Sequence, residues 1–133
     1  MNPHLKTVDR WLSQRLPNTS FDEDGIASLG INERTAVFLE IPVESEVCHF
    51  YAPVSMLDTE APDKDLYGAL TLNRFGRPLG GCWLAWDPEL GMITLCYNLH
   101  IPSSDAVSFC NAIDNFAIAL SEARSALGHM APT

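Results

Sequence analysis

The sequence lacks the features that mark membrane-spanning, exported and metal-binding proteins. No apolar run approaches the roughly 20 residues that a membrane span needs. No basic segment followed by an apolar run opens the chain, so we expect a cytoplasmic protein. The cysteines form no CxxC pair, and in a reducing cytosol we expect them to be small buried hydrophobic residues. The histidines have no zinc-ligand spacing, and we expect no metal ion and no other cofactor.

Basic residues are also scarce. The chain carries 8 Lys and Arg against 17 Asp and Glu, which gives a formal net charge of −9. Gly76, Gly80 and Gly81 are not followed by the Lys-Ser/Thr pair of a phosphate-binding loop. Because an acidic surface repels phosphate, the composition argues against nucleic acid and anionic lipid as partners. It favours basic or neutral polypeptides instead.

Apolar residues are plentiful, at 47% of the 133 residues, which is enough for one folded domain over residues 1–133. Their spacing predicts helix 2–17, an edge strand or acidic turn at 21–29, strands 34–42 and 47–54, helix 66–75, strands 82–86 and 92–99, and a long helix opening at Ser103 or Ser104. This order, α-β-β-β-α-β-β-α, predicts an α+β sandwich in which three helices pack on a twisted, mostly antiparallel sheet.

Two of these segments carry more apolar surface than one chain can cover. The hairpin formed by the strands over 82–86 and 92–99 has apolar side chains on both faces, whereas a hairpin in a small antiparallel domain normally has one wet face. The helix over 66–75 is apolar around most of its circumference. Since the helices can cover only one side, we expect a second copy of the chain to cover the other, in an obligate homodimer.

Two clusters invite a chemical interpretation that the sequence does not support. Cys48 and His49 are neighbours on a predicted strand and therefore point to opposite faces. No glycine-rich elbow, Asp partner or second His lies nearby, so a nucleophilic site is disfavoured. The acidic run 22–24 lacks the alternation and the closing Glu of a calcium loop, which indicates a solvated turn.

The C-terminal half of the sequence resembles a known family. Residues 80–102, GGCWLAWDPELGMITLCYNLHIP, are followed by 103–124, SSDAVSFCNAIDNFAIALSEAR. The class I type III secretion chaperones, the Tir-chaperone (CesT-like) family, commonly show a glycine-led strand ending in Asp-Pro-Glu. A second strand closing in Leu-x-x-Pro and a long final helix follow. With the element order and the acidity, the resemblance extends over essentially the whole chain.

The resemblance implies a non-enzymatic homodimer in the bacterial cytosol. Such a protein binds the N-terminal segment of one or more type III effectors and keeps it soluble and competent for secretion. In the family, the second helix and the fourth strand form much of the dimer contact. The corresponding residues here are Leu66, Ala69, Leu70, Phe75, Cys82, Trp83, Leu84 and Trp86.

The family also implies grooves, built by the first helix and the first three strands, that take apolar effector side chains. The candidates here are Val8, Trp11, Leu12, Val37, Phe38, Leu39 and Phe50. Trp11 is either a binding anchor or a core-edge residue, and the sequence leaves open which face of the strands lines a groove. Two alternative functions are a dimeric regulatory adaptor of similar fold and a small enzyme that uses Cys48 or a histidine.

Overall fold

The helices and strands follow in the predicted order. A computed structural model describes residues 2–32, 35–58, 60–74 and 78–127. These residues form α1 Pro3–Arg15, β1 Ile26–Asn32, β2 Thr35–Glu40, β3 Val47–Met56, α2 Pro62–Leu72, β4 Trp83–Asp87, β5 Met92–His100 and α3 Ala106–Leu127, with a short 3-10 turn Ile101–Ser103 before α3. The strands form a five-stranded antiparallel sheet in the order β1-β2-β3-β5-β4. The predicted α+β class is confirmed, while the homodimer stays a prediction.

The chain forms two compact units. The first unit comprises Met1–Phe50 and Asn98–Asp114, and the second comprises Tyr51–Tyr97 and Asn115–Thr133. The elements β3, β5 and α3 each contribute residues to both units. The assignment of residues 1–133 to one domain stays a prediction.

The core of the first unit follows from the alternation along β1 and β2. The antiparallel register pairs Ala27 with Leu39 and Leu29 with Val37, and all four side chains are buried. Phe38 lies between Val37 and Leu39 and points to the opposite face of β2, where it is half-buried. The rest of this core is Val8, Leu12, Ile41, Cys48, Phe50, Leu99, Ile101, Phe109, Ala112 and Ile113.

The core of the second unit joins α2 to β4 and to the end of α3. The Asn73 side chain accepts a hydrogen bond from the Leu84 backbone N–H at 2.7 Å and donates one to the Leu84 carbonyl at 2.9 Å. A Cβ at Gly68 would lie 3.1 Å from Leu127 Cδ2, so α2 approaches α3 closely at this glycine. Arg124 of α3 donates to the Pro53 carbonyl at 2.7 Å. The first two contacts hold α2 against β4 and α3, and the third holds α3 against β3.

The sequence allows either an edge strand or an acidic turn at 21–29. The structure has the turn first, and β1 begins only at Ile26. Residues 22–25 form the acidic turn, in which Asp22 Oδ1 accepts hydrogen bonds from the Asp24 and Ile26 backbone N–H groups at 2.9 and 3.0 Å. Gly25 completes the turn at φ +80°, a conformation that L side chains rarely adopt. The Asp22 side chain thus binds backbone donors as far as Ile26, the first residue of β1, and this turn takes the place of the first half of the predicted strand.

The last helix is capped by a different residue from the predicted Ser103 or Ser104. The Asp105 side chain accepts from the Ser108 backbone N–H at 2.8 Å, and the Phe109 N–H donates to the Asp105 carbonyl at 2.9 Å. Both serine hydroxyls instead donate to the His100 carbonyl, closing the preceding 3-10 turn. Asp is as good a helix cap as Ser, so local spacing did not distinguish the three positions.

Candidate protein-interaction surfaces

Trp11 lies at the edge of the aromatic cluster of the first unit. Its ring centroid is 5.9 Å from that of Phe109, which in turn lies 6.1 Å from Phe50 in an edge-to-face arrangement. Phe50 and Phe109 are buried, whereas Trp11 is half-buried. The Trp11 side chain therefore packs partly against the core and is partly exposed. Its role as a binding anchor stays a prediction.

The other residues predicted to bind an effector are mostly internal. Val8, Leu12, Val37, Leu39 and Phe50 are no more than 1% exposed. A partner could contact these five side chains only if the core of the first unit opened. In the conformation described, a partner of the first unit would contact other, exposed side chains. Of the remaining two, Trp11 lies against the core-facing Phe109 and Phe38 lies on the opposite face of β2, so no single groove contains both. The seven-residue assignment stays a prediction.

The first unit does contain a groove, which the sequence analysis missed. Its cavity measures about 320 Å³ and is lined by Asn2, Leu5, Asp22, Glu23, Asp24, Gly25, Ile41 and Val43. Its apolar part comes from Leu5 of α1 and from the chain just after β2, and its acidic part is the turn before β1. We call it the acid-rimmed groove. Because it joins segments far apart in the chain, no local pattern marks it.

The walls of the acid-rimmed groove are held by backbone hydrogen bonds and by a helix cap. The Ile41 N–H donates to the Gly25 carbonyl at 2.9 Å, and a Cβ at Gly25 would lie 2.5 Å from the Ile41 carbonyl oxygen. Asn2 caps α1 by accepting from the His4 N–H at 2.9 Å, while its amide group donates to the Ser45 carbonyl at 3.2 Å. The groove therefore has a defined shape before any partner binds.

The second unit exposes large apolar side chains on two elements that contact each other, α2 and β4. We call this set the α2–β4 surface: Leu66, Tyr67, Leu70, Trp83 and Trp86. Leu70 is 67% exposed and Trp86 is 45% exposed, values far above those of core residues. Large apolar side chains exposed on adjoining elements are typical of protein contact sites, although Trp83 and Trp86, three positions apart on β4, point to opposite faces of the strand.

The predicted dimer residues divide into two groups. Leu66, Leu70, Trp83 and Trp86 are exposed, whereas Ala69, Cys82 and Leu84 are buried within the second unit. Phe75 lies outside the described residues. Leu84 is 5% exposed, whereas Trp86, which pairs with Ile93 near the hairpin turn, is 45% exposed. Tyr67 belongs to the surface but was not singled out, although its place on the apolar helix could have indicated it.

The Cys48–His49 pair has no geometry for catalysis. Cys48 is fully buried, and this burial raises the pKa of its thiol to about 12. Since the thiolate is the reactive form, a thiol so hard to ionise is a poor nucleophile. His49 points to the other face, where its Nδ1 lies 2.7 Å from Asn98 Oδ1. The interpretation of the pair as a nucleophilic site therefore receives no support from the structure.

Within the described ranges, no group of three or more His, Cys, Asp or Glu residues could hold a metal ion. Among the same residues, no helix combines the length and the apolar character that crossing a membrane requires.

Comparison with known proteins adds both a family and a fold. The model of the Tir chaperone protein (CesT) family matches residues 12–124. No curated protein sequence matches the chain. Among solved structures, the chain is similar to one in the ExsC–ExsE complex, with a TM-score of 0.76 and 22% identity over 96% of this chain and 97% of that one.

Two further structures share the fold. A chain of the heterodimeric ExoU–SpcU complex from the type III secretion system of Pseudomonas aeruginosa matches with a TM-score of 0.70 and 18% identity, over 91% of this chain and 98% of that one. A chain of the HopA1–SchA chaperone–effector complex matches with a TM-score of 0.69 and 16% identity, over 90% and 91%. At these identities the likeness shows the fold alone, because one fold can serve several functions.

Proposed function

The chain belongs to the Tir chaperone protein (CesT) family, and from that premise we propose that it is a non-enzymatic, homodimeric chaperone of the bacterial cytoplasm. It binds the N-terminal segment of one or more type III secreted effectors and keeps that segment soluble and competent for secretion. The family match over residues 12–124 carries this proposal. Similarity to chains of the HopA1–SchA chaperone–effector complex and of the ExoU–SpcU complex from a type III secretion system supports it.

The homodimer is supported by the α2–β4 surface. Removing a large apolar side chain from water contributes about 1.5–3 kcal/mol, so the exposed leucines and aromatic residues favour association. A symmetric dimer places the same residues on both sides of the contact and so doubles the apolar area covered. The second copy of the chain is the partner that covers this surface.

Effector binding is supported by the sheet order and by the first unit. Among the strands of the described residues, β1 lies at one end of the sheet and has a neighbouring strand on one side only. An extended segment that pairs with such an edge gains main-chain hydrogen bonds and places alternate side chains in neighbouring apolar sites. Because a disordered segment loses entropy on binding, it must contact a large surface to bind well. The partly exposed Trp11 and the acid-rimmed groove, both in the first unit, offer further contacts.

Co-expression with an effector tests the proposal. The chain is expressed with and without the N-terminal hundred or so residues of a candidate effector, such as the product of an adjacent gene. We expect the effector segment to copurify and to become soluble, in a complex whose mass contains two copies of this chain. A monomer in sedimentation equilibrium that captures and solubilises no type III effector would contradict the proposal.

A further inference from the structure

We propose that the acid-rimmed groove takes a short extended segment in which an aliphatic side chain is followed directly by Lys or Arg. The inference rests on the proposed function, because the segment is taken to be part of the effector. It adds the chemistry by which one position of that effector is recognised. Three observations support it. The base of the groove is apolar, the charged residues at its rim are all acidic, and hydrogen bonds hold its walls in place without a partner.

The apolar part of the groove is suited to one aliphatic side chain. Ile41 is buried and forms its base, Leu5 is half-buried, and Val43 is 88% exposed at its mouth. A volume of about 320 Å³ is at the small end of the range of ligand pockets, about 300–1,000 Å³. The groove thus has room for one side chain with its stretch of backbone. Covering Val43 removes exposed apolar area from water and favours binding.

The charge of the rim selects the residue that follows. Asp22, Glu23 and Asp24 are exposed at the groove, and the described residues that line it include no Lys or Arg. Asp22 Oδ1 is engaged by two backbone N–H groups and so maintains the turn. Glu23 and Asp24 carry the charges that can be exchanged without dismantling it. A cation next to the bound aliphatic side chain is attracted to this rim, and a carboxylate there is repelled.

The other occupants fit less well. A second copy of this chain has a net charge of −9 and would approach the rim with like charge. No group of three or more His, Cys, Asp or Glu in the described part of the chain could hold a metal ion, which disfavours a bare cation. A basic and aliphatic peptide satisfies both the rim and the floor. Because the walls are preformed, the groove loses little entropy when it binds.

Short synthetic peptides test the groove without requiring an effector. Three capped Gly/Ser decapeptides carry a central Ile-Arg, Ile-Glu or Ser-Arg pair, and each is titrated into the ¹⁵N-labelled full chain while amide chemical shifts are followed. We expect Ile-Arg to shift the amides of residues 22–25 and 43, with the other two peptides binding at least about threefold more weakly. Raising the salt from about 50 to 500 mM should weaken Ile-Arg binding, since screening shortens the reach of surface charges.

Two double variants distinguish the effect of the rim charges from the effect of the overall negative charge of the protein. E23Q/D24N removes the exchangeable rim charges, and we expect it to weaken Ile-Arg binding about threefold to tenfold. E60Q/D63N removes two exposed carboxylates from the second unit and should leave that binding unchanged. Equal binding of Ile-Arg and Ile-Glu, shifts confined to the second unit, or no shift at several millimolar peptide would each overturn the inference.

The same variants distinguish this inference from the proposed function. An effector segment that copurifies equally well with wild type and with E23Q/D24N would overturn the role of the rim and leave the chaperone function standing. Failure of every candidate effector to copurify with the wild-type chain would count against the function itself. Copurification that weakens in E23Q/D24N and not in E60Q/D63N supports both.

Discussion

The two units of the chain expose apolar residues in opposite ways. In the second unit, large apolar side chains such as Leu70 and Trp86 are exposed on α2 and β4. In the first unit the apolar side chains at the groove are fewer, they line a concave site, and acidic residues border them. Permanent interfaces are more apolar than exchangeable ones, whose margins are polar. The difference is consistent with the proposal that the second unit holds a permanent partner and the first unit binds an effector transiently.

The largest effect is expected from a charge inside the second unit. Leu84 is buried, so Leu84→Asp places a carboxylate in the core and should destabilise the fold by on the order of 4 kcal/mol. Urea unfolding followed by circular dichroism measures the loss. Leu84→Met, which nearly conserves the volume, is the control and should cost less than about 1.5 kcal/mol. A Leu84→Asp protein as stable as wild type would place Leu84 on the surface rather than in the core.

A charge on the exposed part of the same unit should act on association alone. Leu70 is 67% exposed, so Leu70→Asp should leave each copy folded and weaken the dimer about a hundredfold, because both copies lose an apolar contact. Sedimentation equilibrium measures the dimer constant. Gln14→Glu adds one charge to the exposed side of α1 and should not change it. If Leu70→Asp associates like wild type, α2 is not part of the dimer contact.

Trp11 provides an intermediate effect in the first unit. If it is an anchor, Trp11→Ala lowers the affinity for an effector segment by on the order of 2 kcal/mol in titration calorimetry and leaves the dimer intact. Some stability is lost as well, since the ring contacts Phe109. Trp11→Phe retains an aromatic ring there and should recover most of that stability. Lower stability with unchanged affinity would assign Trp11 to the core edge.

The smallest effect is expected at the start of α3. The hydrogen bonds from Ser108 lower the pKa of the Asp105 carboxyl from its ordinary value of 3.8. A lowered pKa in the folded state contributes stability above that ordinary value, and the contribution is lost as the pH falls through the folded pKa. Asp105→Asn should therefore melt slightly lower than wild type at pH 6, and the difference should shrink below about pH 4. A difference in melting temperature that does not change with pH would show that the charge of Asp105 does not contribute.

The sequence predicted those parts of the fold that local spacing determines. Val37 and Leu39 are two positions apart in the predicted strand 34–42, a spacing that puts both on one face, and both are buried in β2. The spacing of apolar residues along the sequence cannot distinguish a side chain that is buried in the core of its own chain from one that is exposed at a possible interface. Leu84 and Leu70 were predicted to play the same role, and only the structure separates them.

The acid-rimmed groove lay beyond sequence reasoning for a different reason. Leu5, Asp24 and Val43 come together only because α1, the turn before β1 and the chain after β2 meet at one place. No periodicity relates these positions. The acidic turn was recognised and interpreted as solvated, an interpretation that lacked the apolar surface beside it. Sites assembled from distant segments require the tertiary fold before their chemistry can be seen.

In the turn at residues 22–25, two positions are constrained by the backbone structure and two are not. Gly25 cannot be replaced without collision, because a side chain there would meet the Ile41 carbonyl oxygen, and Asp22 maintains the turn through its backbone hydrogen bonds. Neither constraint applies to the side chains of Glu23 and Asp24. On the proposal that the groove binds effectors, substitutions at these two positions alone would change the charge that an effector meets while leaving the hydrogen bonds of the turn in place, so relatives could come to prefer different effectors on an unchanged backbone.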